Sequence, residues 1–261
     1  MPWSTELGGF VAALAIAVVT APVGISGAVF LLPVQLDVLH IPSPRVTPTN
    51  LLFNVVAVPG ALFRYGQRAA TFGTLSRLLI AGTLPGVVAG AVIRVYLVPG
   101  VRPFRVIAGL VLLPLGAFVL ARRSGDRGSV RRDPPMSPRR ITCLAAVVGV
   151  VAGIYGIGGG SLMGPVLVSS GFTVAAVAPA ALASTFVTSV VGAITYGVLA
   201  LVTSGSIAPD WTVGLACGAG GLFGGYLGAH LQPRLPEPVL RVLLGTLAMA
   251  LGVAYLIQGL V

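Results

Sequence analysis

A run of glycines lies inside one of the apolar stretches of this chain, where polar side chains are scarce. The run reads Gly156, Ile157, Gly158, Gly159, Gly160 and Ser161, and Pro165 follows it. Consecutive glycines unwind a helix and leave backbone N–H groups without partners. The helix that follows directs its positive N-terminal end at the break, so the run predicts a nest that binds an anion. The alternative is a packing surface that lets two helices approach closely.

A shorter version of the same motif lies upstream. It comprises Gly24, Ile25, Ser26 and Gly27, and it is followed by Pro33. The spacing matches, because Gly24 pairs with Gly156 and Pro33 with Pro165. Paired broken helices at corresponding positions are the best sequence pointer to the binding site of a transporter. We therefore favour an anion site over simple packing, and we expect each proline to contribute to the break in its helix.

Each motif is followed by an apolar helix that carries neutral polar side chains. Asn50 and Asn54 lie one helical turn apart and share a face. In the second half the corresponding helix carries Ser184, Thr185 and Thr188. Such donors would complete the hydrogen bonds of a bound anion, and the alternative is hydrogen bonding between helices. The predicted substrate-binding set joins these five residues to the two glycine motifs.

The elements that position these residues must be membrane helices. The chain has 261 residues, of which 56% are hydrophobic and 8% charged, with a mean hydropathy of +1.00. A soluble domain carries about 25% charged residues. All sixteen basic residues are arginine, which excludes a Walker-type phosphate loop and Schiff-base chemistry. The formal net charge of +10 comes largely from arginines in short loops, which orient membrane proteins, so we expect a lipid bilayer and no nucleic acid as partner.

Eight apolar stretches are long enough to count as membrane segments. They cover roughly 7–36, 47–65, 70–97, 103–121, 141–168, 173–203, 209–231 and 237–259. We predict an all-α polytopic membrane protein of two homologous four-helix repeats, 1–121 and 141–261, joined by an Arg-rich linker at 122–140. The first segment of each repeat is long and interrupted by glycine, so it is either a broken span or a re-entrant helix.

The direction of the two repeats depends on that choice. If both first segments cross fully, the repeats are parallel, and ten arginines lie inside and six outside. If both are re-entrant, the repeats are inverted, and the counts become twelve and four. The positive-inside rule slightly favours the inverted form, with the 122–140 linker in the cytoplasm.

The two glycine motifs, the polar helix after each and the two four-element halves resemble the TauE/SafE sulfite exporter family. The resemblance covers nearly the whole chain. It implies a multi-pass protein of the bacterial inner membrane that moves small sulfur-containing or organic anions, often outward. By motif, it also implies that Gly24–Gly27 with Pro33, and Gly156–Ser161 with Pro165, line the pathway.

The absence of acids from the apolar segments limits the mechanism. All six lie at predicted helix ends or in loops: Glu6, Asp37, Asp126, Asp133, Asp210 and Glu237. The carboxylate proton relay of many transporters therefore has no candidate. We expect no catalytic residues, no metal site and no cofactor. A membrane-embedded assembly or sensor subunit is the alternative function, and a homodimer stays open.

Overall fold

The computed structural model describes residues 3–67, 73–97, 102–121, 136–203 and 207–260. Within these ranges every regular element is a helix. Of the predicted linker 122–140, residues 122–135 lie outside the described ranges, together with Asp126 and Asp133.

The chain folds into ten α-helices in the described ranges, with short 3-10 and π segments between some of them. The α-helices are α1 (Trp3–Thr20), α2 (Ala28–Pro33), α3 (Ser43–Gly66), α4 (Thr74–Tyr96), α5 (Arg102–Ala121), α6 (Pro138–Tyr155), α7 (Gly159–Ser169), α8 (Val174–Val202), α9 (Trp211–Leu231) and α10 (Glu237–Leu260). A 3-10 turn (Ala21–Val23) follows α1, a π-helical turn (Val34–Val38) follows α2, and a second 3-10 turn (Gln232–Arg234) follows α9.

Six of these helices are long and apolar enough to cross a membrane: α1, α3, α4, α6, α8 and α10. Helix α9 is as long, with 21 residues, but it is rich in glycine. The prediction of an all-α polytopic membrane protein is confirmed.

The first predicted segment, 7–36, is a helical hairpin. Glycines of α9 give the direction of its first arm, because Gly220, Gly224 and Gly228 abut the carbonyls of Phe10, Leu14 and Val18 in turn. Helices α1 and α9 therefore run parallel. Along the other side of α9, the glycines at 214 and 218 contact Leu52 and Val56, so α3 also runs parallel to α9. Since α1 and α3 share a direction, the chain between them must turn back through α2.

The second half contains the same kind of hairpin, packed against α4. Gly82, Gly86 and Gly90 abut α6 at Thr142, Ala146 and Val150, so α4 and α6 run parallel. On its other side α4 meets α8 in the same order, through Thr83 with Ser184 and then Val87 with Gly192. Helices α6 and α8 therefore share a direction, and α7 is the returning arm between them.

The two sets of helices run in opposite directions. Helix α3 is antiparallel to α8, because Leu51 meets Gly192 whereas Val58 clusters with Leu182. The hairpins α1–α2 and α6–α7 thus enter from opposite sides, while the inverted form of the repeat stays a prediction. We call the side where α4, α6 and α8 begin the linker side, and the opposite side the N-terminal side. The homology of the halves and the cytoplasmic position of the linker stay predictions.

Each hairpin packs against the third long helix of the other half. Helix α1 lies on α9 and helix α6 lies on α4, while α5 and α10 pair with one another. Close approach of the backbones requires the glycines of α4 and α9, since an added Cβ would overlap the facing main chain. The halves are therefore interlaced around a shared centre, and both hairpin turns point into it.

Candidate functional site

The turn of each hairpin begins at a glycine with left-handed backbone geometry. Gly24 has φ 76° and ψ 17°, and Gly156 has φ 70° and ψ 22°. A residue with a Cβ is strained in this region, whereas glycine adopts it freely. The two positions that the sequence pairs therefore have the same conformation.

A tyrosine of the following long helix anchors each hairpin just before its turn. The hydroxyl of Tyr65 donates to the carbonyl of Ala21 at 3.0 Å, and that of Tyr196 donates to the carbonyl of Gly153 at 2.9 Å. Both accepting carbonyls lie three residues before the left-handed glycine. Carbonyls near the end of a helix often lack intrahelical partners; the Tyr196 hydroxyl supplies one to Gly153, and the Tyr65 hydroxyl adds a second donor to the Ala21 carbonyl, which also accepts from the N–H of Gly24.

The two turns meet through Ser26 and Ser161. The backbone N–H of Ser26 donates to the hydroxyl oxygen of Ser161 at 3.0 Å, and both residues are buried. The hydroxyl of Ser161 also lies 3.4 Å from that of Thr185. This junction lies near the middle of α8, so polar groups of both halves converge at the core of the molecule.

Asn54 of α3 ties the two turns together. Its side-chain oxygen accepts a hydrogen bond from the hydroxyl of Ser26, and its side-chain nitrogen donates to the carbonyl of Gly156 at 3.2 Å. One turn before it, the Asn50 nitrogen donates to the carbonyl of Ala28 at 3.0 Å, and the Asn50 oxygen is buried with no hydrogen-bond partner. Both asparagines are fully buried. The predicted pair therefore does face the glycine motifs.

The three predicted residues of α8 contact the second turn. Thr188 accepts a hydrogen bond from the backbone N–H of Gly159 at 3.3 Å, and Thr185 contacts Ser161. Ser184 lies 3.1 Å from the hydroxyl of Thr83 on α4, a residue that sequence reasoning missed. A Cβ added to Gly159 would lie 2.8 Å from Thr83 Cβ, so Thr83 is part of the wall around the turn.

Several backbone donors at the turns have no hydrogen-bond partner within the described part of the chain. In the second turn these are the N–H groups of Ile157, Gly158 and Gly160, and in the first turn that of Gly27. The three second-turn donors lie before the 11-residue helix α7 or in its first turn. Unpaired N–H groups at a helix N-terminus favour negative charge.

Four predicted residues contribute no polar side chain to the turns. Ile25 and Ile157 are buried apolar side chains of the core. The breaks are at the glycines and not at the prolines: α7 continues through Pro165 to Ser169, and Pro33 lies where α2 gives way to a π-helical turn. The expectation that Pro165 breaks its helix is therefore corrected, whereas α2 does end at Pro33. Glycines supply left-handed dihedral angles, whereas a proline keeps φ in the helical range.

Two acidic side chains lie away from the turns, at helix ends. Asp210 caps α9 and lies 3.6 Å from Arg45 on the N-terminal side. Glu237 accepts from the backbone N–H of Val174 and from Arg241 on the linker side. Among the described residues no three His, Cys, Asp or Glu side chains come together as a metal site would require. Thr49 also lies away from the turns, since its hydroxyl accepts from the backbone N–H of Asp210.

The arrangement is thus a neutral centre of backbone N–H groups, hydroxyls and carboxamides, built by two opposed hairpins. No curated protein and no solved structure matches the chain. The family model of the sulfite exporter TauE/SafE matches residues 9–255, nearly the whole chain. The chain therefore belongs to the TauE/SafE family of membrane sulfite exporters.

Proposed function

We propose that this protein carries a small anion, sulfite or another sulfur-containing or organic anion, through the centre where the two hairpin turns meet. One observation carries the proposal: two left-handed glycine turns of opposite direction converge on one point and leave four backbone N–H donors unpaired. Backbone donors bind oxyanions without a counter-charge that would hold them permanently. Release then needs less free energy than release from an arginine clamp.

The position of the turns supports transport over static binding. They lie level with Asn54 and Thr83, near the middles of α3 and α4. Each hairpin opens to a different side, and each packs on a helix of the other half. Rocking of one set of helices against the other would expose the same donors to either side, as in transporters built from inverted repeats.

The neutral side chains around the turns also limit how transport could be coupled to proton movement. A carboxylate that exchanges protons near the substrate is the usual coupling group. Among the described residues, the buried polar groups around the turns are hydroxyls and carboxamides. We infer either downhill movement or co-movement of a proton on the substrate itself, as a weak acid allows.

Flux into proteoliposomes tests the proposal. We expect purified protein to accelerate entry of sulfite, thiosulfate, a sulfonate or a small carboxylate over empty vesicles. Gly159→Val should abolish that flux, because even its Cβ would overlap Thr83. Gly197→Val is the matched control, since nothing lies within 4 Å of a Cβ at that exposed position of α8. Absence of flux for all four anions, or full flux in a folded Gly159→Val protein, would contradict the proposal.

A further inference from the structure

Arg94 is a buried arginine near the end of a membrane helix. It lies in the last turn of α4, and only 6% of the residue is exposed. The other arginines whose side chains the structure describes are half-buried or exposed. An arginine that only anchors a helix end keeps its head group in water. Protein covers Arg94 instead, and a charge buried in a membrane bundle commonly marks the path of an ion or a substrate.

The glycine face of α4 gives the position of Arg94. This face meets α6 at every fourth residue: Gly82, Gly86 and Gly90. Arg94 is the next residue in that series, so it lies where α6 ends at Tyr155. Its positive charge also acts on the hydroxyl of Tyr196, which donates to the carbonyl of Gly153 just before the second turn. Both observations place Arg94 beside the second turn, on its N-terminal side.

Helix α9 has the same glycine face toward the first hairpin. Gly90 of α4 abuts the carbonyl of Val150, and Gly228 of α9 abuts the carbonyl of Val18. The two valines are separated by the same number of residues as the glycines that begin the two turns. The residues four positions after Gly90 and Gly228 therefore correspond to each other.

The residue that corresponds to Arg94 is Gln232. It is also buried, with 6% exposed, and its side-chain nitrogen donates to the carbonyl of Pro22 at 2.7 Å. Pro22 lies two residues before the left-handed Gly24, so this position reaches the end of the first arm of the hairpin. A neutral carboxamide is therefore sufficient where a hydrogen bond to the hairpin is all that is needed.

The two positions differ in charge. The arginine lies beside the second turn, which leaves three N–H groups unpaired, whereas the glutamine lies beside the first turn, which leaves one. A permanent positive charge and the larger set of open donors thus occur at the same turn. Each of them favours negative charge.

We propose that Arg94 sets the charge of the anion that the second turn accepts. The N–H groups make the hydrogen bonds, and the guanidinium adds attraction from beside the turn. That attraction grows in proportion to the charge of the anion, so Arg94 favours a dianion over a monoanion of similar shape. The inference rests on the proposed function and adds a specificity-determining residue to it.

Substitution of Arg94 tests the charge directly. Arg94→Gln removes the charge and keeps a donor of the kind that Gln232 provides in the other half. Calorimetric titration of the detergent-purified protein with methanesulfonate, a monoanion, and thiosulfate, a dianion, measures the effect. We expect Arg94→Gln to bind methanesulfonate about tenfold and thiosulfate about a hundredfold more weakly, because the lost attraction counts twice for two charges. Arg94→Lys keeps the charge and should restore both affinities to within about threefold.

Arg45→Gln is the matched control. Arg45 lies on the same side of the membrane bundle, but it is partly exposed and lies 3.6 Å from Asp210, away from the turns. At physiological salt its loss should change neither affinity by more than about twofold, since exposed charges are screened. Equal losses in Arg94→Gln and Arg45→Gln would overturn the proposal.

A merely structural role for Arg94 gives different results. It would weaken both anions equally in Arg94→Gln, or it would make Arg94→Lys as weak as Arg94→Gln. Either result, or unchanged affinities in a folded Arg94→Gln protein, would refute the proposal. The unchanged protein should also bind thiosulfate more tightly than methanesulfonate, and the reverse preference would refute it whether or not the variants fold.

Flux of the same two anions into proteoliposomes separates this inference from the proposed function. Flux with the same preference in Arg94→Gln as in the unchanged protein would leave transport standing and refute the role of Arg94. Charge-dependent binding that Arg94→Gln abolishes, without flux of any anion, would leave that role standing and refute transport.

Discussion

The two hairpin turns share their first residue and differ at the third. Gly24 and Gly156 adopt the same left-handed conformation, but the first turn then has Ser26 where the second has Gly158, with φ 77°. The serine hydroxyl accepts from the N–H of Ala28 and donates to Asn54. The glycine instead leaves the N–H groups of Ile157, Gly158 and Gly160 unpaired.

The first turn therefore uses a side chain to pair the N–H of Ala28 and leaves only that of Gly27 unpaired, whereas the second turn leaves three N–H groups unpaired. The comparison indicates that the two turns have different roles around a shared centre. The first turn is held by the Ser26 hydroxyl and Asn54, and the open second turn presents three N–H groups to a charge. Substitutions at the residues of each turn test these different roles.

The largest effect is expected at Gly160, where the second turn is tightest. A Cβ there would lie 2.9 Å from Ala181 Cα and closer still to the Ala181 carbonyl, so Gly160→Ala must push α7 from α8. Such overpacking costs about 3 kcal/mol. The first half carries Ala28 at the corresponding position, where Ala28→Gly should cost only about 1 kcal/mol. Thermal unfolding of the detergent-solubilised variants measures both.

Gly164→Ala is the matched control on the same helix. Its Cβ would meet only the Val23 carbonyl oxygen, at 3.9 Å. If Gly160→Ala and Gly164→Ala lost the same stability, the overlap between α7 and α8 would not be the cause of the loss at Gly160.

The next effect concerns Asn54, which contacts both turns at once. Asn54→Asp keeps the shape but removes the donor to the Gly156 carbonyl and adds negative charge beside the open N–H groups. An anion would then be repelled from the site. We expect flux at neutral pH to fall at least tenfold and to recover in part as the pH is lowered, because a protonated carboxyl is neutral and donates. Flux measured against pH shows the recovery.

Asn54→Leu gives the contrast, since it has no group to protonate. Its flux should be low at every pH. A recovery at low pH in Asn54→Leu as well would mean that another group is responsible.

How far the sequence predicted this site can be judged at individual residues. The repeat spacing located Gly24 and Gly156 correctly, because only glycine adopts a left-handed turn easily and its position in the chain is visible. Helical periodicity placed Asn50 and Asn54 on one face, and both reach the turns. These are local properties of the backbone and of a single helix.

Properties that depend on packing between the halves were not predicted. The prolines at 33 and 165 look like helix breakers in sequence, but α7 continues through Pro165, and only at Pro33 does an α-helix give way to a π-helical turn. Thr83 belongs to α4, and nothing in its own segment indicates that α4 lies against the hairpin of the other half. The Ser26–Ser161 hydrogen bond likewise joins residues 135 positions apart. Sequence patterns predict helices and their polar or apolar faces. Which helix faces contact each other depends on how the two halves pack together.

A moderate effect is expected where the two turns contact each other. Ser161→Ala leaves the N–H of Ser26 without its acceptor, at a cost of about 1–2 kcal/mol. Ser26→Ala releases both the Asn54 oxygen and the N–H of Ala28, with a cost of similar size. The bond between Ser26 and Ser161 uses the backbone N–H of Ser26, so Ser26→Ala should leave it intact. The losses of stability in the two single variants should therefore nearly add up to the loss in the double variant. Coupling above about 1 kcal/mol in thermal unfolding would show that the turns form one network through their side chains.

The smallest effect is expected at Thr83, which supports the open turn from outside. Its hydroxyl donates to the carbonyl of Leu79 at 2.8 Å and meets Ser184 at 3.1 Å, while its methyl group lies against Gly159. Thr83→Val keeps the methyl contact and loses the hydrogen bond, so stability should fall by about 1 kcal/mol. Thr83→Ser keeps the hydroxyl and removes the methyl, which loosens the wall beside Gly159. If the open turn needs that wall to hold its N–H groups in place, Thr83→Ser should weaken sulfite flux more than Thr83→Val does. A larger loss of flux in Thr83→Val than in Thr83→Ser would show that the Thr83 hydroxyl and its contact with Ser184 support the turn.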